Sequence, residues 1–329
     1  GVFYSGAVAT LTSFAEKHGI PVTETIAGRS QMLHDHKLNA GPLGVIGSSS
    51  ANALAAEADV VLAVGTRLQD FTTGSWSVFG NESMQLIAIN AASFDAHKHR
   101  ALSVVGDAKV GLEDLSSALG NWAGSPAWIE TAQGHYAEWN RTVDQHSGPS
   151  DAVPPSYGQV VGAINRSCDS TDLALTAAGG LPGELCKNWK TRSIGTFDCE
   201  FGFSCMGYEI AGGWGAKMAD PSRDVIVFVG DGSYLMLNSD IYSTVLTGHK
   251  MIVIVCDNGG FSVINRLQNF KGSASFNNLL QDCKVENLQG VDFVQHATSM
   301  GALGEQVESI VELEAAFKRA KAADRTYVI

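Results

Sequence analysis

Two apolar runs, each breaking into a polar turn, constrain this chain more than any other feature. Val225–Val229 runs into Gly230-Asp231-Gly232, and Met251–Cys256 runs into Asp257-Asn258-Gly259-Gly260. Unbroken Val and Ile runs bounded by Gly and Asp read as strands buried on both faces of a parallel sheet. Between them Tyr234, Leu237, Ile241 and Val245 recur at helical spacing, and Gly248 is a good helix stop. The stretch reads as one strand–helix–strand unit. A right-handed crossover sets its two carboxyl ends side by side, so Asp231 and Asn258 converge across 27 residues of sequence.

Ligands of open α/β sheets bind at the carboxyl edge of the strands. What meets there is one carboxylate, one amide oxygen and several glycines that let backbone approach a ligand. Few, hard oxygen ligands suit Mg²⁺ or Ca²⁺ better than zinc, and Mg²⁺ usually completes its shell with phosphate and water. The unit therefore predicts a magnesium-bridged diphosphate, with Ser233 and the following helix start beneath the phosphates. The plainer alternative is an ordinary turn with a helix-capping Asp231.

In composition and spacing, Gly230-Asp231-Gly232 followed by Asn258 resembles the signature of the thiamine-diphosphate enzymes. The resemblance implies that Asp231, the Asn258 side chain and the Gly260 carbonyl hold the metal. It departs at Asp257, where the family usually has a first Asn, and this alters loop hydrogen bonding without removing a ligand. Met206, 25 residues before Asp231 in an M-G-Y context, matches the apolar residue that props the cofactor's aminopyrimidine into its bent conformation. The Ser204 backbone then faces the pyrimidine or phosphate, and Gly232, Ser233 and Phe261 complete the cofactor contacts. The family's activating Glu sits on an N-terminal pyrimidine-binding domain with no counterpart here. The resemblance thus implies no catalytic acid within these residues and no turnover from them alone.

The length of 329 residues suggests two domains. The net charge of −12 argues against nucleic acid or an anionic membrane surface as partner. Six cysteines without a C-x-x-C or framework spacing fit reduced thiols in a cytoplasmic protein. No apolar run reaches the roughly 20 residues of a membrane span. The opening Gly-Val-Phe-Tyr and the closing Tyr-Val-Ile read as cuts in a longer polypeptide.

Strands alternating with helices predict two doubly wound parallel-sheet α/β domains. Residues 1–120 form a Rossmann-like first domain, with strands at Ile20–Thr23, Val60–Val64, Gln85–Asn90 and Leu102–Val105. It lacks G-x-G-x-x-G and resembles the family's middle domain, which binds FAD or a nucleotide in some branches; a structural scaffold is the expectation here. Arg67 could reach an anion or cap a loop. His34-Asp35-His36 lacks a third ligand and reads as a solvated loop. Residues 121–153 form the linker, with a helix from Pro126 to Val143, and residues 154–329 the cofactor domain. There the strand Asp172–Thr176 runs into Gly179 and Gly180, a phosphate-binding nest or a plain tight turn.

Asn265, Arg266 and Gln268, on the polar stretch after Gly260, are candidates for binding substrate oxygens or for a solvated helix face. The wording CDNGGFSVINRLQ, FGFSCMGYEIAGGWGAKMA and AGPLGVIGSSSAN is similar to the branch that hydrolyses a C–C bond of a polyhydroxylated cyclic dione in inositol breakdown. That resemblance implies a homodimer or tetramer with active sites between subunits. The rivals are an acetolactate-synthase or 2-keto-acid decarboxylase type of enzyme, and a nucleotide-binding regulator that keeps only the fold.

Overall fold

The computed structural model describes residues 1–329. They form two compact units: Gly1–Gln145 with Lys190–Gly195, and His146–Trp189 with Thr196–Ile329. The units part inside one helix, Pro126–Ser147, which lies in the stretch expected to be the linker. Most of that helix belongs to the first unit because its side chains are used there. Trp128 and Ala132 pack with Ala40 and Leu54, and Tyr136 donates to the His34 carbonyl at 2.9 Å.

The first unit contains strands β1 (Val22–Glu24), β2 (Asn39–Pro42), β3 (Val60–Val64), β4 (Gln85–Asn90) and β5 (Leu102–Val105). All pair in parallel, as a β1-β2 sheet and a β3-β4-β5 sheet. β2 is not among the strands expected from sequence, since Asn-Ala-Gly-Pro carries no strand propensity. It is held from outside: Ser48 and Ser50 donate to the carbonyls of Pro42 and Ala40 at 3.0 and 2.8 Å. The edges of β1 and β3 that pair with no strand line a mostly apolar cavity of about 280 Å³, together with Leu11 and Phe14. His34 and His36 bond to the Thr191 carbonyl and Glu16, so neither is poised as a metal ligand.

The second unit is built on β6 (Leu173–Thr176), β7 (Phe197–Cys199), β8 (Val225–Gly230), β9 (Ile252–Cys256), β10 (Leu303–Gly304) and β11 (Tyr327–Val328). They form one parallel sheet in the order β10-β11-β9-β8-β6-β7. The unbroken apolar runs become its centre, with every residue from Val225 to Val229 at most 1% exposed. Val225, Val227 and Val229 pack with Ile210 and Ile241 on one face, and Phe228 meets Trp189 from the other. Burial on both faces requires apolar side chains at successive positions, which is why these strands do not alternate.

From β6 the chain crosses to β7 on one side and then returns to β8 on the other. Such a reversal opens a crevice at the carboxyl ends of β6 and β8. The register pairs Val229 with Val255 and Gly230 with Cys256, so the turns after β8 and β9 start level. The helix between them differs from the expectation of one continuous element. It is split into Asp231–Met236 and Asp240–Thr247, because Leu237 turns extended (φ −153°) and packs its Cβ against Gly207. No helix is long and apolar enough to cross a membrane.

Candidate cofactor and metal site

The turns after β8 and β9 bring Asp231 and Asn258 to neighbouring strand ends. Asp231 is 5% exposed; its Oδ2 accepts the Gly260 N–H at 2.7 Å, and its Oδ1 is buried with no partner. The Asn258 amide nitrogen donates to the Tyr157 hydroxyl, and its Oδ1 is likewise buried and partnerless. Buried acceptors without a donor cost about 1–3 kcal/mol each, and folded proteins rarely tolerate them without a reason. Burial first, and the nearby Asp257 charge second, push the Asp231 carboxyl above the usual carboxylate range. Asp257 itself accepts the Gly259 N–H at 2.9 Å and so shapes its own turn.

Gly260 is required by space as well as conformation. Its φ of +137° is rarely adopted by other residues, and a Cβ there would lie 2.5 Å from the Asn278 carbonyl oxygen. The close approach points its N–H at Asp231. Two orphaned hard oxygens on adjacent edges are the donor set that a Mg²⁺ ion uses when phosphate and water complete its shell. The structure has no group of three His, Cys, Asp or Glu suited to a metal, so the protein side chains do not form a full cage.

Three further loops gather around these residues. After β6, Gly179 adopts φ +84° and Gly180 starts the helix Leu181–Asn188. A Cβ on Gly180 would lie 3.3 Å from both the Arg266 guanidinium and the Tyr157 ring. Arg266 thus lies beside the Gly179-Gly180 turn, for which the sequence offered a phosphate nest or a plain tight turn. Before the helix Tyr208–Ala219, Glu200 accepts N–H bonds from Gly202, Phe203 and Cys205 at 2.9, 3.0 and 2.7 Å. Burial pushes the Glu200 carboxyl up, but the N–H bonds from Cys205, Phe203 and Gly202 outweigh it and hold it below its ordinary value. In this loop Ser204 takes φ +54° and its hydroxyl donates to the Ala177 carbonyl at 3.0 Å. Met206, half-buried, and Phe261 flank Gly232: a Cβ on that glycine would lie 3.6 Å from the Met206 methyl and 2.6 Å from the Phe261 ring.

Ser233 is buried and its hydroxyl is committed: it donates to Glu209 at 2.8 Å and accepts from the Gly207 N–H at 2.8 Å. What remains for an anion is its backbone N–H. Asn265 Oδ1 is a third buried acceptor without a partner. Gln268 is spent on the following loop, donating to the Ala274 carbonyl and accepting from Asn278 at 2.5 Å. Cys256 lines the same strand end, but burial, and then the Asp231 charge, push its thiol up to about 12, so it is no nucleophile.

Sequence reasoning missed Tyr157 and Glu209. Tyr157 follows the N-cap Ser156, and its sequence context marks only the start of an amphipathic helix. Glu209 carried a visible signal, a lone acid in the apolar helical run Tyr-Glu-Ile-Ala-Gly-Gly-Trp.

Comparison with known proteins agrees with this geometry. Residues 1–115 match the thiamine pyrophosphate enzyme central domain, and residues 177–329 the thiamine pyrophosphate enzyme C-terminal TPP binding domain. A 3D-(3,5/4)-trihydroxycyclohexane-1,2-dione hydrolase from Geobacillus thermodenitrificans is 36% identical, over 96% of this chain and 53% of that protein. Proteins of the same name from Clostridium tetani (34% identical) and, as hydrolase 2, from Bacillus cereus (36%) each match 98% of this chain and 54% of their own length. The chain spans about half the length of these curated relatives. With both domain matches in chain order and the acceptor pair in the crevice of the second, the chain belongs to the thiamine pyrophosphate enzymes, of which it carries the central and the C-terminal, cofactor-binding domains.

Proposed function

We propose that the polypeptide carrying this chain binds thiamine diphosphate through Mg²⁺ and hydrolyses a C–C bond of 3D-(3,5/4)-trihydroxycyclohexane-1,2-dione, opening the ring to 5-deoxyglucuronate in inositol catabolism. The observation that carries the cofactor reading is the pair of buried, partnerless oxygens, Asp231 Oδ1 and Asn258 Oδ1, at adjacent strand ends. The substrate reading is supported by similarity to hydrolases of that name along nearly the whole chain.

When bound, the cofactor supplies an electron sink that permits cleavage next to a ketone. The residues here do the holding. Asp231, Asn258 and the Gly260 backbone would hold the ion. Gly179, Gly180, Gly232 and the Ser233 N–H would meet the diphosphate, with Arg266 adding a positive charge. Met206 would prop the aminopyrimidine in its bent conformation, with Phe261 as a further cofactor contact on the other side of Gly232. Asn265, with its free buried oxygen, is the candidate of the three polar residues for a hydroxyl of the substrate. The activating Glu is assigned to polypeptide outside these residues, in an assembly of two or four subunits, and the 329-residue chain alone is expected to give no turnover.

Assaying the whole polypeptide with the cyclic dione against pyruvate tests the reading. Ring opening dependent on thiamine diphosphate and Mg²⁺ supports it. Turnover of pyruvate alone replaces it with the decarboxylase reading, and no metal-dependent cofactor binding replaces it with a regulator.

A further inference from the structure

The side chain of Glu209 is unlike any other near this site. It is fully buried, forms no ion pair, and accepts three hydrogen bonds from three separate segments: Ala178 N–H at 3.1 Å, Gly207 N–H at 3.1 Å and Ser233 Oγ–H at 2.8 Å. The Gly207 N–H is shared with Ser233 Oγ at 2.8 Å, which closes a ring of contacts between Glu209, Gly207 and Ser233. Each donor belongs to a segment that the cofactor reading uses. Ala178 precedes the Gly179-Gly180 turn, Gly207 follows Met206, and Ser233 follows Asp231-Gly232.

An acid without a counter-ion in a protein interior is expensive unless every lone pair is used, and an apolar residue would pack there at lower cost. Its position in the first turn of Tyr208–Ala219 gives it some compensation from the helix dipole. What an apolar residue could not do is fix two loop backbones and the Ser233 side chain relative to one another. We propose that Glu209 is a positioning residue of the cofactor site, setting the turn after β6, the Met206 loop and the turn after β8 at one fixed spacing. Outer-shell partners of this kind typically govern affinity by roughly 10- to 100-fold. The proposal rests on the thiamine-diphosphate reading and adds the residue that builds the cradle.

The test uses the whole polypeptide, with Glu209→Gln and Ser233→Ala singly and together, titrated calorimetrically with thiamine diphosphate in saturating Mg²⁺. The Glu209→Gln change would present an amide NH₂ to at least one backbone donor, most directly opposing Ala178 when the remaining oxygen keeps the Ser233 side. Expected are a roughly 10- to 100-fold weaker cofactor affinity for Glu209→Gln, a smaller loss for Ser233→Ala, and a double variant little weaker than Glu209→Gln. In the cofactor-free protein, amide exchange should accelerate in the peptides spanning Ala178 and Gly207 and stay unchanged in Val225–Val229. A Glu209→Gln variant that binds as tightly as wild type overturns the inference and leaves the functional reading standing. Wild type that does not bind overturns both. If Glu209→Gln loses protection in Val225–Val229 as well, it has unfolded, and a folded Ser233→Ala variant with wild-type affinity then overturns the inference.

Discussion

Asp231→Asn separates a residue kept for folding from one kept for binding, and its effects have opposite signs. The amide can keep accepting the Gly260 N–H, which Oδ2 now accepts at 2.7 Å. Exchanging a charged for a neutral acceptor there loses up to about 1 kcal/mol, since charge-assisted bonds are roughly twice as strong. Against this, the change removes a charge that burial and Asp257 disfavour in the fold, and the NH₂ that replaces Oδ1 can donate to the likewise partnerless Asn258 Oδ1 on the adjacent turn. An unsatisfied buried group of this kind costs about 1–3 kcal/mol. The net expectation is a cofactor-free protein more stable by about 1 kcal/mol, which raises the transition of a unit of this size by roughly 2–4 °C. Wild type, given Mg²⁺ and thiamine diphosphate at about 100 times the dissociation constant, gains about 2.7 kcal/mol, or roughly 5–10 °C. Asp231→Asn should gain almost nothing. Calorimetric scans near neutral pH, with and without cofactor and metal, give both numbers. A variant less stable than wild type without cofactor, or one that Mg²⁺ and thiamine diphosphate still stabilise, refutes the reasoning.

The raised Asp231 pKa fixes a pH dependence. In the cofactor-free fold the carboxyl holds its proton more tightly than in the unfolded chain, so its contribution to stability falls as pH rises from the ordinary aspartate range through the raised value. Metal binding must displace that proton, so Mg²⁺ affinity should rise with pH over the same window and level off above it; a flat calorimetric profile there would count against Asp231 as ligand. Cys256, with its thiol pushed up to about 12, should be alkylated at least about 100-fold more slowly than exposed Cys205 near pH 8, measurable by mass spectrometry of iodoacetamide-treated native protein. Lys321 bonds Asp169, Asp172 and Asp224 at 2.8, 2.8 and 2.7 Å, with Asp172 almost fully buried. Lys321→Met should therefore cost about 2 kcal/mol, because it strands the buried Asp172 carboxylate, and urea denaturation without a shift in midpoint would contradict this.

The strands that could be read directly are those whose burial shows in one dimension. Val225–Val229 and Ile252–Cys256 are apolar at every position because both faces are covered, and their lengths and ends follow. Asn39–Pro42 is a strand held by Ser48 and Ser50 from a later helix start, an arrangement that no local propensity reports. The break at Leu237 came from a tertiary contact with Gly207, although the apolar spacing ran straight through it. At the site, Asp231, Asn258 and Gly260 were readable because a parallel crossover sets strand ends level. Residues whose role is to hold others were not. Tyr157 lies 101 positions from the amide it contacts, and Glu209 reaches Ala178 31 positions away. The polar character of Arg266 and Gln268 was visible too, but not their surroundings, the Gly180 turn in one case and Ala274 with Asn278 in the other.

The central claim is that a divalent ion joins Asp231 and Asn258 to a diphosphate. Crystals of the whole polypeptide grown with Mn²⁺ in place of Mg²⁺ and thiamine diphosphate test it most directly, because Mn²⁺ scatters anomalously. One anomalous peak is expected within about 2.3 Å of both Asp231 Oδ1 and Asn258 Oδ1, shared with oxygens of the diphosphate. A peak that touches neither oxygen, or a bound diphosphate with no metal between it and Asp231, would contradict the claim.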